Sequence, residues 1–258
     1  MSADVYPVSV HKRLRVGVSG HRAPPKLPAQ SEDPLRNTID RLLSVIVDTV
    51  RQVENVGAVW PGDERVPDSE RQPPRERVTG LAIVSSLAEG SDRIVAEVGL
   101  AAGFELEVIL PFGRAEYADD FETLASRARF EHLLARASTV FELSGDAVER
   151  PPAYEAAGLF MLAKIDLLIA IWDGQRAAGI GGTAQIVGRA MADGIPIIRI
   201  DPANPNTMQM SWREAGSLPT PHADVPRYDS FRPADEATIA LVIKQILSLP
   251  PRRSACAS

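Results

Sequence analysis

The chain has 258 residues, 45% of them hydrophobic, enough for one sizeable core. A net charge of −6, with acids and bases interspersed, withholds any global attraction to a phosphate backbone, so neither DNA nor RNA is the expected partner. The first ten residues hold no charged segment leading into an apolar core, and no apolar run approaches a membrane span. The lone cysteine, Cys256, permits neither an internal disulfide nor a cysteine-ligated metal, so a reducing, cytoplasmic location is expected.

Short β-rich apolar runs alternate with longer segments of helical period, the pattern of crossover units on a parallel sheet. The first strand is expected at 14–19, closed by Gly20, His21, Arg22 and a Pro24-Pro25 turn. A helix over 34–54 follows, because Leu35, Ile39, Leu42, Leu43, Ile46, Val47 and Val50 recur at spacings of three and four. Residues 61–74 are proline-rich, charged and without period, and read as a surface excursion. A strand at 81–85 leads through Ser86-Leu87-Ala88-Glu89-Gly90 into a helix over 91–102, and a third strand follows at 105–111. One long amphipathic stretch over 117–137 precedes a strand at 139–143. Pro151-Pro152 opens a helix to Lys164, which feeds the most hydrophobic strand, 166–172. After Asp173-Gly174 come Gly179-Ile180-Gly181-Gly182-Thr183, a helix to Asp193 and a last core strand at 196–200.

The fold expected is a three-layer, Rossmann-like α/β domain, with a mainly parallel sheet of six or seven strands and helices on both faces. The nucleotide-binding domain is assigned to residues 1–205. Residues 206–258 are assigned to a proline-rich wrapping segment, a final helix over 234–247 and a disordered tail.

In an open parallel sheet the ligand crevice lies at the carboxyl ends of the strands, where the strand order reverses. Three such junctions carry unusual residues. Gly181-Gly182-Thr183 before a helix lets backbone N–H groups and the helix dipole meet an anion, and Thr183 adds a hydroxyl; the same run also reads as a glycine-permitted turn with Thr183 as an ordinary cap. Ser85, Ser86, Glu89 and Gly90 offer hydroxyls and amides to a phosphate or ribose, with Asp92 capping the helix and Arg93 either at the site or solvated. Gly20 permits close approach beside His21 and Arg22, one titratable and one permanently cationic group. Asp173 closes the set. Trp172 and Tyr154 are aromatics able to stack a base, and Trp172 reads equally as core.

The runs Val16-Gly17-Val18-Ser19-Gly20-His21-Arg22, Val84-Ser85-Ser86-Leu87-Ala88-Glu89-Gly90-Ser91-Asp92-Arg93, and Asp166 to Gly174 with Gly181-Gly182-Thr183 resemble the SLOG superfamily. That is the Rossmann-like group holding the lonely-guy cytokinin-activating phosphoribohydrolases, the DNA-processing protein A core, and stand-alone or fused sensor domains. The resemblance spans residues 14–200 and implies a nucleotide-type pocket. Its enzymatic branch cleaves an N-glycosidic bond with an arginine-containing motif before the penultimate strand and a glutamate after the glycine loop. Here the stretch 152–163 has no arginine, and Gln185 stands where that glutamate is expected.

A glutamine supplies a dipole without the charge that stabilises an oxocarbenium-like centre. The reading is therefore of the sensor-like branch: a nucleotide-derived ligand bound in a bacterial signalling or defence setting, and reported through a homo-oligomer or a separately encoded effector. The alternative is a nucleoside monophosphate N-glycosidase with Glu89 or Asp173 as the acid-base group and Glu155 as a further stand-in. No metal site or cofactor is expected from the scattered His11, His21, His132 and His222, beyond a magnesium ion accompanying a phosphate ligand.

Overall fold

Strand β1 (Lys12–Gly20) runs through the middle of a mixed sheet in a computed structural model of the protein, which describes residues 12–22, 27–56, 78–175, 182–213 and 230–248. The Pro24-Pro25 turn, the 61–74 excursion, Gly179 to Gly181 and the tail beyond 248 lie outside the described residues. Helix α1 (Glu32–Val56) follows, then β2 (Val78–Ser85), α2 (Ser91–Ala101), β3 (Glu105–Leu110), α3 (Arg114–Ala118), α4 (Leu124–Leu134) and β4 (Thr139–Glu142). Helix α5 (Arg150–Leu162), β5 (Leu167–Ile171), α6 (Thr183–Ala192), β6 (Ile197–Asp201), β7 (Asn204–Ser211), β8 (Arg232–Pro233) and α7 (Glu236–Ser248) complete the order.

The sheet has eight strands in the order β4-β3-β2-β1-β5-β6-β7-β8. The six from β4 to β6 are parallel, and β7 and β8 add on antiparallel. The chain builds outward from β1 to β4, then returns to lay β5 along the other side of β1, in register from Val16↔Leu167 to Gly20↔Ile171. Helices α1, α2, α4 and α7 cover one face, burying Leu14, Val16 and Val18 of β1. Helices α5 and α6 cover the other, over Val84, Ile109, Leu168 and Ala170. Every residue of β5 is buried, as a parallel strand covered on both faces requires.

The expected apolar stripe of α1 is the buried one: Leu35, Ile39, Leu42, Leu43 and Ile46 are wholly inaccessible, and Glu32 and Asp33 in the first turn suit the positive end of the helix. Two expectations are corrected. The single amphipathic stretch over 117–137 is two helices, because the chain turns at Asp119 and restarts where Thr123 accepts the Ser126 amide at 3.0 Å. The start of the expected wrapping segment is strand β7, which pairs along β6 and buries Met208 and Met210.

Ile46→Ala removes buried methyl groups from the centre of this stripe and should lower unfolding free energy by about 2–5 kcal/mol, whereas Asp40→Ala on the solvent side should stay within about 0.5 kcal/mol. Urea titration of the two variants checks the assignment of faces.

Candidate functional site

The carboxyl ends of β1 and β5 meet at His21. Its backbone N–H donates to the Ile171 carbonyl at 2.9 Å, and its carbonyl accepts the Ser91 amide at 3.2 Å and the Ser91 hydroxyl at 2.8 Å. The backbone of one residue thus ties β1, β5 and the start of α2 together. Gly20 is required by that packing: a Cβ there would lie 2.5 Å from the Ser91 Cβ. The His21 ring is buried against Asp173, with Nε2 3.2 Å from both the Asp173 amide and its carboxylate Oδ1. A neutral ring accepts the amide proton there, whereas a protonated ring pairs with the carboxylate. Asp173 also accepts the Gln175 amide at 3.0 Å, closing the loop after β5.

Arg199, which the sequence reading did not single out, braces this loop from β6. Its Nε donates to the Trp172 carbonyl at 3.0 Å and its Nη1 to Gln209 Oε1 at 2.8 Å. Gly174, at φ 84°, lies so close that a Cβ would meet the guanidinium at 2.7 Å. Trp172 is core: its ring is buried, its Nε1–H donates to the Gln175 carbonyl at 2.9 Å, and Phe231 packs edge-on at 6.3 Å.

The loop from β2 to α2 folds back on itself. Leu87 sits at φ 55°, a left-handed conformation that a leucine adopts only when its surroundings enforce it. The Ser85 hydroxyl accepts the Leu87 amide at 3.0 Å and donates to Asp92 Oδ2 at 3.3 Å. The amides of Ser86 and Ala88 also turn onto the Asp92 carboxylate. The cap position belongs to Gly90 rather than Asp92, and Asp92 stands in the first turn of α2. The loop amides assigned from sequence to a phosphate are thus directed at this internal carboxylate. Burial pushes Asp92 up to about 7, against the lowering pull of Arg22, Ser85 and the two amides.

Arg93 is not solvated but wholly buried. Its Nε donates to the Leu87 carbonyl at 2.9 Å, its Nη1 to the Ser126 carbonyl at 2.9 Å and hydroxyl at 2.8 Å, and its guanidinium lies 4.1 Å from the Phe121 ring centroid. Burial holds its pKa below the ordinary arginine value. The left-handed residue is therefore clamped to α4 through one side chain. The Ser126 hydroxyl in turn donates to Glu89, so Glu89 faces α4 while Asp173 stands at the β1–β5 end. These two acid-base candidates have separate settings.

Arg22 projects from the end of β1 over the Tyr154 ring, 5.1 Å from its centroid. Burial works to lower its pKa, but Tyr117, Tyr154 and Asp92 together hold it above the ordinary value. The Tyr154 hydroxyl donates to Asp120, which also pairs with Arg150. With Arg22 over it and Phe112 tilted against it at 6.0 Å, the Tyr154 ring is already occupied as a stacking surface. Sequence reading missed Asp120, Arg150 and Tyr117. Glu155, one turn into α5, accepts the Gln185 carboxamide of α6.

Helix α6 packs on β1, β5 and β6, so it begins above the carboxyl ends of those strands. Its cap is Gly182, at φ −83° and ψ 161° with no side-chain bond, and Thr183 is the first helical residue. Gly181 lies outside the described residues. The structure thus brings Gly20, His21 and Asp173 into one contiguous cluster, and Ser85, Ser86 and Asp92 into a second joined to it through Ser91 and Arg22. Among the described residues, no group of three histidine, cysteine or carboxylate side chains is arranged to hold a metal ion.

No family model matches the chain, and no curated protein matches it significantly. Solved structures similar to it include DNA processing protein A (DprA) from Streptococcus pneumoniae, at 16% identity and a TM-score of 0.42, covering 73% of this chain and 50% of that one. A structural genomics target, TM1055, is similar at 15% identity and a TM-score of 0.37, covering 71% of this chain and 72% of that one. DNA processing protein A from Helicobacter pylori, described for its single-stranded DNA binding mode, is similar at 14% identity and a TM-score of 0.40, covering 72% and 65%. This chain spans about half the length of the S. pneumoniae protein. Likeness of this degree bears on neither ligand nor activity.

Asp92 keeps its proton in the folded state up to about pH 7, whereas the unfolded chain releases it in the ordinary carboxylate range. The folded state then binds more protons across that window, so the stability contributed by Asp92 is greatest in acid and falls as pH rises toward 7. Asp92→Asn should remove this slope. Relative to the wild type, the variant should gain stability between about pH 4 and pH 8; parallel pH profiles from denaturant titration would contradict the assignment.

Proposed function

We propose that the chain binds a phosphate-bearing, nucleotide-type ligand at the β1–β5 edge, and that it acts as a sensor for that ligand rather than as a hydrolase. The observation that carries the reading is the setting of Arg22. A cation stands at the carboxyl end of β1, at the point where strand order reverses, in the place where open α/β sheets hold ligands. The candidate acids favour sensing over catalysis. Glu89 is bound by Ser126, Asp173 by the Gln175 amide and His21, and Glu155 by Gln185, so each carboxylate has an internal task. Reporting falls to a second copy of the chain or to a separately encoded effector. Among the described residues no helix is long and apolar enough to cross a membrane.

The test is a thermal-shift panel of nucleoside monophosphates, dinucleotides, ADP-ribose derivatives and cyclic nucleotides, with a short oligonucleotide included because the acidic balance argues against it, and with product analysis of every hit. A ligand at a hundredfold excess over its Kd should raise Tm by about 5–10 °C and be recovered intact. A consumed ligand would favour the N-glycosidase reading instead, and a panel without hits would remove the nucleotide assignment. Gly182 has a conformation open to any residue, so Gly182→Trp should leave cooperative unfolding in place while weakening the hit at least tenfold. Unchanged affinity takes the α6 start out of the site.

A further inference from the structure

His21 stands where β1, β5 and α2 meet, with its backbone bonded to β5 on one side and to α2 on the other, so a ligand can act on its ring without moving a strand. The ring is buried, and its Nε2 lies 3.2 Å from two groups of Asp173 that make opposite demands. The Asp173 N–H needs a lone pair there, which the neutral ring has; the carboxylate Oδ1 needs an N–H, which the protonated ring has. One nitrogen cannot satisfy both. The neutral ring therefore sets a lone pair against a carboxylate oxygen, and a proton placed between the two atoms turns that contact into a charge-assisted hydrogen bond. The Asp173 carboxylate keeps the Gln175 amide in either state. On the other elements that meet here, Arg199 of β6 donates to the Trp172 carbonyl and to Gln209, and Arg22, next after His21, lies over Tyr154. On α2, beyond Ser91, Asp92 accepts the Ser85 hydroxyl and Arg93 holds the Leu87 carbonyl and Ser126; the first turn of α6 carries no acidic residue.

We propose that an anion bound at this edge is taken up together with one proton, which His21 Nε2 accepts from solvent. The proposal rests on the reading of this edge as a phosphate site and adds to it a dependence on pH. With a neutral ring, the His21–Asp173 pair carries one negative charge and opposes an anion at Arg22, the next residue of the chain. Protonation brings the pair to zero while Arg22 keeps its charge, so the anion and the proton favour one another. Imidazole is the side chain that ordinarily titrates between about pH 5 and pH 8. One N–H bond forms, and no other bond forms or breaks. By linkage, an anion that raises the His21 midpoint binds more tightly as pH falls through that titration.

Sulfate serves as the probe, because it stays a dianion across this range. His21 is followed through its Cε1–H resonance in the full-length protein, assigned by its loss in His21→Gln, or by replacing His11, His132 and His222 in turn if that variant does not fold. Sulfate binding is read from the Arg22 Cζ resonance. Sulfate should raise the His21 midpoint by about one unit, and its affinity should be up to about tenfold tighter on the acid side of that titration than on the alkaline side. Asp92 titrates at about 7, so the profile is repeated in Asp92→Asn, which should keep it, and in His21→Gln, which should flatten it. An Arg22 response to sulfate with an unmoved His21 midpoint overturns the coupling, as does a pH profile that survives in His21→Gln. If neither residue responds, capture of the anion at this edge is overturned. A phosphodiester hit from the panel, bound with equal affinity across the range, would sink this proposal and leave the nucleotide reading standing. A sulfate-shifted His21 with no nucleotide hit does the reverse.

Discussion

Because β5 returns to the centre of the sheet and pairs with β1, the helix after β1 and the helix after β5 leave toward opposite faces. Two parallel strands whose continuations diverge open a crevice at their carboxyl ends, and no side chain is needed to create it. Everything distinctive about this edge follows from how the chain holds the crevice in shape. The backbone of a single residue, His21, bonds β5 through its N–H and α2 through its carbonyl, and the absence of a Cβ at Gly20 lets α2 come that close. The fold and the candidate site are therefore set by one constraint.

Around that crevice the charged groups are spent mainly on one another. Arg93 clamps the left-handed Leu87, Arg199 braces the loop carrying Asp173, and Arg150 is paired with Asp120. Buried guanidinium groups contribute little net stability when desolvation is set against their hydrogen bonds, but they hold a particular geometry, because losing one partner leaves a donor stranded. Arg93 already shows that cost: its Nη2 is buried with no acceptor among the described residues. A loop kept in an unfavourable backbone conformation needs such fastening, and the fastening reaches α4 rather than the crevice.

What could be read from the sequence was local. The α1 stripe, the uniformly apolar β5 and the three strand-to-helix junctions are patterns within one segment, and each stands where expected. Strand β7 was hidden because only Met208 and Met210 alternate into the core from a run that carries Pro205, and an antiparallel strand near the sheet edge owes its existence to pairing with β6. The break between α3 and α4 had a local signal in Thr123, whose hydroxyl caps α4. The partners of the site residues had none. Asp120 meets Tyr154 across 34 positions, and Arg199 meets Trp172 across 27. Nothing in a linear pattern says that Asp92, rather than a ligand, receives the loop amides, since the same residues satisfy either role.

That last ambiguity has a physical consequence for how such a site can work. Where the loop amides already serve an internal carboxylate, a ligand anion gains little by competing for them and must instead be met by groups whose bonds are loosest. Here that is Arg22, which rests on an aromatic ring without an ion-pair partner among the described residues. Tyr154 beneath Arg22 is tied through Asp120 to Arg150 at the first turn of α5. Tyr154 itself lies on α5, so a change at Arg22 reaches that helix directly, without requiring any movement of the sheet. A rigid frame with one exposed cation seated on a helix of its outer layer suits the proposed sensor role, because binding there alters a small number of contacts while the core stays as it was.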